Sequence, residues 1–216
     1  MTELLEKETN SPYSHLSDLC LNIVLAGVGG QGTLIAGKLL GIIAMKLNLD
    51  VKVSEVHGMS QRGGSVITYV RIGKKVHSPL VEAGEADFVL CFEELEGLRW
   101  ARLLKKNGKM LINSQQIKPL PVLMGKAQYP QRIHSELSEA TTGNAIVAEF
   151  NALTAAQDAG SVRAVNMVML GALSHFSNIP VSLWEEAITE TFASKAKMIP
   201  MNKQAFYNGR NLIEQK

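Results

Sequence analysis

The sequence predicts a three-layer α/β/α fold around a mostly parallel but mixed sheet, with a Rossmann-like, glycine-rich first turn. Three observations carry this. The run Leu21–Leu47, LNIVLAGVGGQGTLIAGKLLGIIAMKL, passes from a short apolar strand through crowded glycines into a helix whose apolar residues recur at Ile35, Leu39, Ile42 and Ile43. Ala86–Phe92 (ADFVLCF) is a continuous apolar run, as in a strand covered on both faces. Strand-like and helical stretches alternate along the chain, which is the order of layered α/β domains.

The first strand spans Leu21–Ala26, and Gly27, Gly29 and Gly32 then satisfy G-x-G-x-x-G, with Gly30 and Gln31 between them. Glycines at such a turn let backbone N–H groups at a helix N-terminus approach an anion, and Gln31 is placed to add a side-chain contact. A turn that simply packs strand against helix is the competing reading. Val51–Glu55 is the second strand, and Glu55 stands where a dinucleotide fold needs a carboxylate for a ribose hydroxyl. The following loop, His57-Gly58-Met59-Ser60-Gln61-Arg62-Gly63-Gly64-Ser65, is too rich in glycine and polar side chains to be a plain connector. Ser65–Ile72 alternates β-branched residues as a strand does. Gly73-Lys74-Lys75 reads as a turn and Val76–Ser78 as a short antiparallel return, the hairpin that makes the sheet mixed.

Further along, Glu93–Leu104 is a predicted helix, Asn107-Gly108 suits its C-cap, and Lys109–Asn113 is another strand. Pro119, Pro121 and Pro130, with Gly125, impose an extended surface course. Gln131–Leu137 and the alanine-rich Gly143–Gly160 read as helical, and Asn166–Phe176 as a buried helix. Ser182 with Glu185 has capping-box spacing at the start of a helix over Trp184–Ala193, and Asn202–Leu212 closes the chain. The predicted organisation is a flexible N-terminal segment, residues 1–17, and one domain, residues 18–216.

Composition narrows the function classes. With 216 residues, 46% hydrophobic and 19% charged, the chain is globular. Its net charge of +2 gives no reason to expect nucleic acid or an anionic membrane as partner. No apolar run is long enough to span a bilayer and Met1–Ser14 is too polar for a signal peptide, so a cytoplasmic location is expected. The 2 cysteines, Cys20 and Cys91, cannot supply the four thiolates of an iron–sulfur cluster and read as small buried hydrophobes. His57 and Arg62 are the best candidates for chemistry, because arginine offers a fixed fork for carboxylate or phosphate and histidine titrates near neutrality. Their targets would be a substrate carboxylate, a coenzyme A phosphate or a partner's cofactor pocket. Alternatively, Arg62 pairs with Glu55 or a partner carboxylate and orders an interface, which is the favoured reading. His77, His134 and His175 look isolated, His175 as a hydrogen-bonded core residue, and no His/Cys/Asp/Glu cluster has metal-ligand spacing. Met167, Met169, Met198 and Met201 read as core filler or interface, and Trp184 as a candidate exposed anchor.

GVGGQGTLIAGKLLG followed by VKVSEVHGMSQRGGSVITYVRIG resembles the gamma-type domain of the 2-oxoacid:ferredoxin oxidoreductases. The pyruvate, 2-oxoisovalerate and 2-oxoglutarate branches tend to carry a Tyr-Gly-Pro-Glu type sequence before Arg-Gly-Gly. Here Glu55-Val56-His57-Gly58-Met59-Ser60-Gln61 precedes Arg62-Gly63-Gly64, as in the aryl-pyruvate (indolepyruvate) branch. The resemblance continues through Ser78-Pro79-Leu80, Glu85-Ala86-Asp87, Phe92-Glu93, Asn166–Ala172 and Asn202–Phe206, and so spans roughly Leu21 to Gly209. It implies an accessory subunit of a heteromeric enzyme that oxidatively decarboxylates an aryl pyruvate to the aryl-acetyl-CoA and reduces ferredoxin. Thiamine diphosphate, Mg2+ and 4Fe–4S clusters would reside on a large alpha subunit, since this chain lacks the Gly-Asp-Gly…Asn pattern that holds the thiamine. No catalytic residue is assigned here. The glycine turn (Gly27 to Gly32), Glu55 and the loop residues His57, Gln61, Arg62, Gly63 and Gly64 are the ligand or interface candidates. The alternatives are a gamma subunit for another 2-oxoacid, or a free-standing nucleotide-binding protein with Glu55 on a ribose.

Overall fold

The computed structural model describes residues 13–58, 63–141 and 146–214. Its strands are β1 (Leu21–Val28), β2 (Asp50–His57), β3 (Ser65–Gly73), β4 (Ala86–Cys91), β5 (Leu104–Asn113) and β6 (Ile146–Phe150). Its helices are α1 (Thr33–Lys46), α2 (Glu94–Trp100), α3 (Leu120–Leu123), α4 (Ile133–Ala140), α5 (Ala152–Asp158), α6 (Val165–Phe176), α7 (Val181–Thr191) and α8 (Ile199–Glu214), with short 3-10 turns between some of them. The six strands form one sheet of order β2-β3-β1-β4-β5-β6. β1, β4, β5 and β6 run parallel, whereas β3 is antiparallel to both β1 and β2. The fold is therefore the predicted α/β sandwich on a mixed sheet.

Two apolar cores lie on the two faces. Ile23 and Leu25 of β1, Phe88 and Leu90 of β4, and Leu111 of β5 meet α1, α5, α6, α7 and α8 on one side. Val24, Val89, Cys91, Met110 and Ile112 meet α2 and α4 on the other. The apolar runs of β1 and β4 are continuous because every residue of a central strand has a core to fill. α6 and α8 cross at backbone contact: a Cβ on Gly171 would fall 1.9 Å from the Phe206 carbonyl oxygen, and one on Gly209 1.9 Å from that of Val168. Only glycine permits that crossing. Among the described residues, no helix is long and apolar enough to cross a membrane.

Several local expectations are corrected. The hairpin lies between β2 and β3, around the 58–64 loop, and not after Gly73, where residues 76–78 form no strand. The stretch over 143–160 is not one helix: β6 pairs with β5 before α5 begins. Alanine propensity loses there to an empty place at the sheet edge. Asn107-Gly108 caps no helix. Asn107, at φ 64°, lies inside β5, where the register with β4 shifts between Ala86 and Phe88. Ser182 lies inside α7, whose N-cap is Pro180 without a side-chain hydrogen bond, so there is no capping box. Trp184 is fully buried against Phe206, at a ring-centroid distance of 5.7 Å, and is no surface anchor. Cys20 is exposed rather than buried. Within the segment expected to be flexible, Tyr13 donates its hydroxyl to Glu186 at 3.1 Å and Leu16 is buried.

Candidate functional site

β1 feeds α1 on one face of the sheet, and its parallel neighbour β4 feeds α2 on the other. The crevice beyond their carboxyl ends is a topological switch point, where α/β sheets bind ligands. The glycine turn stands there. Gly30 and Gly32 adopt φ of 106° and 84°, the left-handed region that glycine occupies without strain. A Cβ on Gly32 would also lie 2.7 Å from Asn166 Nδ2, and one on Gly27 3.0 Å from Phe92 Cβ. The glycines therefore serve packing as well as turning.

Gln31 is spent inside the crevice. Its Oε1 accepts the Val28 N–H at 2.7 Å, and its Nε2 donates to the Phe92 carbonyl at 2.8 Å. Asn113 Nδ2 also donates to the Phe92 carbonyl, at 3.0 Å, so the switch-point cleft is stitched shut by amide side chains. The side chain expected to reach a ligand holds the turn together.

What stays open lies on the α1 side. Gly29, Gly30, Gly32, Thr33, Leu34, Ile35, Glu55, His57 and Val66 line a cavity of about 410 Å³. The N-cap of α1, Gly32, has no side chain to accept the helix's leading N–H groups, and the first turn holds no acidic residue. Glu55 stands beside this terminus: its Oε2 accepts from Thr68 Oγ1 at 3.2 Å and from Thr33 Oγ1 at 3.4 Å. That carboxylate already complements the positive end of the helix, and an incoming phosphate would meet it at short range. His57 is exposed, with Nδ1 3.1 Å from the Gly58 carbonyl. Leu34 and Ile35, exposed by 59% and 41%, give the cavity an apolar rim. The loop is tied to the turn through Gly64, whose carbonyl accepts the Gly29 N–H at 2.9 Å, and through Gly63, whose N–H donates to the Gly29 carbonyl at 3.4 Å. Gln61 and Arg62 lie outside the described residues. The structure thus brings Gly29, Gly30, Gly32, Glu55 and His57 to one cavity and bonds Gly63 and Gly64 to Gly29, while Gln31 bonds inward to Val28 and Phe92.

Sequence reading missed a second feature of the same sheet end. Glu93, Glu94 and Glu96 are exposed by only 1%, 5% and 2%. Glu93 accepts from the Glu96 N–H at 2.9 Å, the Ile117 N–H at 3.0 Å and the Tyr129 hydroxyl. Burial and the Glu93 carboxylate push the Tyr129 phenol far above its ordinary range. Glu96 accepts from Ser65 Oγ, from Arg99 Nη1 at 2.6 Å and from Trp100 Nε1 at 3.3 Å. The available signal was Glu-Glu-Leu-Glu directly after a buried strand, where a helix N-terminus gathers carboxylates. His134 is not isolated either. Its Nδ1 lies 2.9 Å from Glu149 Oε2, and Glu94, His134 and Glu149 offer ligand atoms within 4.8 Å of one another, against the expectation from sequence spacing. His175 is exposed rather than a core residue, with Nδ1 3.8 Å from Glu214 Oε1.

Cys20 precedes the start of β1, whereas Cys91, paired with Ala26, ends β4 under α2. The two thiols occupy opposite ends of the sheet and cannot share one iron–sulfur cluster. Burial pushes the Cys91 thiol far above the usual thiol range, which suits an inert core residue.

Known proteins place this geometry. Residues 22–212 match the family described as pyruvate ferredoxin/flavodoxin oxidoreductase. The chain is similar to the indolepyruvate oxidoreductase subunit IorB of Thermococcus kodakarensis, with 44% identity over 87% of this chain and 93% of the relative. The IorB subunit of Pyrococcus horikoshii is 42% identical over 86% of this chain and 92% of the relative. In structure the chain resembles the gamma subunit of a keto/oxoacid ferredoxin oxidoreductase from Geobacter sulfurreducens, with a TM-score of 0.66 at 23% identity, covering 91% of this chain and 99% of the other. A family match over nearly all of the sheet and its helices, together with relatives aligned along more than nine-tenths of their own length, makes this chain a member of the pyruvate ferredoxin/flavodoxin oxidoreductase family.

Proposed function

We propose that this chain is the small accessory subunit of a cytoplasmic indolepyruvate:ferredoxin oxidoreductase. The complex converts an aryl pyruvate and coenzyme A to the aryl-acetyl-CoA and carbon dioxide, passing the electrons to ferredoxin. The carrying observation is the 44% identity to an IorB subunit along 93% of its length. In such a complex thiamine diphosphate with Mg2+ supplies the carbanion chemistry and 4Fe–4S clusters take up the electrons, both on a large alpha subunit. This chain contributes the face around the glycine turn. An uncapped helix start, the Glu55 carboxylate, His57 and an apolar rim of Leu34 and Ile35 suit a protein interface better than a buried phosphate, because they mix apolar area with directed polar groups. Arg62, outside the described residues, is the loop's candidate for a partner carboxylate or phosphate.

The test is reconstitution. Co-expressed with its large partner, the chain should co-purify and support turnover of indolepyruvate in preference to pyruvate, 2-oxoisovalerate or 2-oxoglutarate; preference for one of those would reassign the branch. Arg62→Ala should weaken subunit affinity by about 2–5 kcal/mol through an unpaired partner group, with the melting temperature of the free chain little changed. Arg62→Lys should rescue only partly if the contact is bidentate. A collapsed melting temperature with normal affinity per folded molecule would make Arg62 an internal structural residue. The rival reading, a free-standing nucleotide binder, is disfavoured by Gln31 and Asn113 filling the switch-point cleft, and saturable NAD or FAD binding to the purified chain would revive it.

A further inference from the structure

On the face of the sheet opposite α1, three side chains from distant parts of the chain converge. Glu94 opens α2, His134 lies in the first turn of α4, and Glu149 sits on β6 opposite Ile112 of β5. Their ligand atoms all lie within 4.8 Å of one another, with His134 Nδ1 and Glu149 Oε2 2.9 Å apart. We propose that Glu94, His134 and Glu149 form a binding site for a divalent transition-metal ion, with zinc the best match.

Charge supports this first. Glu94 is a 5% exposed carboxylate that forms no ion pair with lysine or arginine among the described residues, and a second carboxylate points at the same place. Burying such a group without a counter-cation is costly, and a bound dication removes that cost. Orientation supports it next. Gln116 Nε2 donates to Glu94 Oε2 at 2.7 Å, fixing one carboxylate oxygen as outer partners of metal ligands do. α4 is pinned by buried Ile133 and Leu137, so His134 is held at the mouth of the site with its side chain 65% exposed, open to an entering ion. Distance agrees as well. Bonds of about 2.0–2.2 Å set the ligand atoms of a tetrahedral zinc shell roughly 3.4 Å apart. The 2.9 Å between His134 Nδ1 and Glu149 Oε2 and the 4.8 Å limit on all three separations bracket that value.

One imidazole with two carboxylates selects zinc, cobalt or manganese over calcium or magnesium, which favour all-oxygen shells. Three protein ligands leave one position of a tetrahedral shell for water. Nothing in this arrangement draws on the glycine-turn cavity.

Tag-free, chelator-washed full-length chain should be titrated with Co2+ and followed by its visible d–d absorption, then back-titrated with Zn2+. The expected result is one equivalent of Co2+ with a tetrahedral spectrum, displaced by zinc, and a melting temperature raised by zinc. His134→Ala should weaken binding at least ten-fold and abolish that rise. It should fold, because its side chain is largely in solvent. Glu149→Gln should weaken binding in the same direction, and His77→Ala should leave it unchanged. The absence of saturable one-equivalent binding overturns the proposal. So does binding unaffected by His134→Ala, or an equal loss in His77→Ala.

Discussion

Two strand-to-helix turns stand side by side at the carboxyl end of this sheet, and they solve one problem in opposite ways. Each must satisfy the N–H groups at the start of a helix. The turn from β4 to α2 closes on itself: Glu93 caps the Glu96 N–H and takes the Ile117 N–H and the Tyr129 hydroxyl as well. The turn from β1 to α1 does not, since Gly32 has no side chain to cap with and the first turn holds no acid. It stays open, lined by Glu55 and His57 and rimmed by the exposed Leu34 and Ile35. A self-capped terminus serves the fold, and an uncapped one leaves its donors for something outside the chain. The contrast makes the closed turn part of the fold and leaves the open one as the candidate for contacts outside the chain.

The comparison breaks first at Glu93. Glu93→Ala leaves two buried donors and one half-buried donor without an acceptor and should cost about 3 kcal/mol in denaturant unfolding, as a purely folding defect. A loss of subunit affinity at unchanged stability would mean that the closed turn is functional too. Gln31→Ala should cost less, about 1–2 kcal/mol, since it removes two hydrogen bonds while leaving the backbone of the turn free to relax. Michaelis constants of the assembled enzyme should hold steady. A rise in the KM for coenzyme A or oxoacid, with the turn intact by melting temperature, would return Gln31 to the ligand contacts.

Tyr129 sharpens the comparison through pH. Its folded-state phenol holds its proton more tightly than the unfolded one, because of burial and the Glu93 carboxylate. Its contribution is therefore complete below the ordinary tyrosine value of about 10 and is lost as pH rises beyond it. Tyr129→Phe should cost about 1 kcal/mol at neutral pH and flatten the alkaline fall in stability. An unchanged alkaline limb would remove Tyr129 from the titrating groups. The smallest folding effect belongs to the open turn: Leu34→Ser, at a side chain already in solvent, should alter stability by less than about 0.5 kcal/mol. It should still slow assembly or loosen the complex, and unaltered association would take the apolar rim out of the interface.

The chain order carried a good deal of this. β1, its glycine turn and α1 were legible because a buried strand, a left-handed turn and an amphipathic helix each impose a local pattern that survives any tertiary context. Glu55 and His57 were legible for the same reason, as polar residues ending a strand and opening a glycine-rich loop. Elements that depend on distant partners were not. β6 reads as helix until β5 offers it an unpaired edge, and Asn107-Gly108 reads as a cap until β4 draws it into a bulged strand. Trp184 reads as an exposed anchor until α8 lays Phe206 over it. Gln31 divides the two levels most sharply: its place in the glycine motif is written in the sequence, but its bond to the Phe92 carbonyl forms only once β4 packs beside β1. Sequence by itself determined the layered α/β class, the glycine turn and the residues lining its open side. Tertiary structure alone decided which polar side chains point inward and are consumed by the fold, because a hydrogen bond across 61 residues of chain has no local signature.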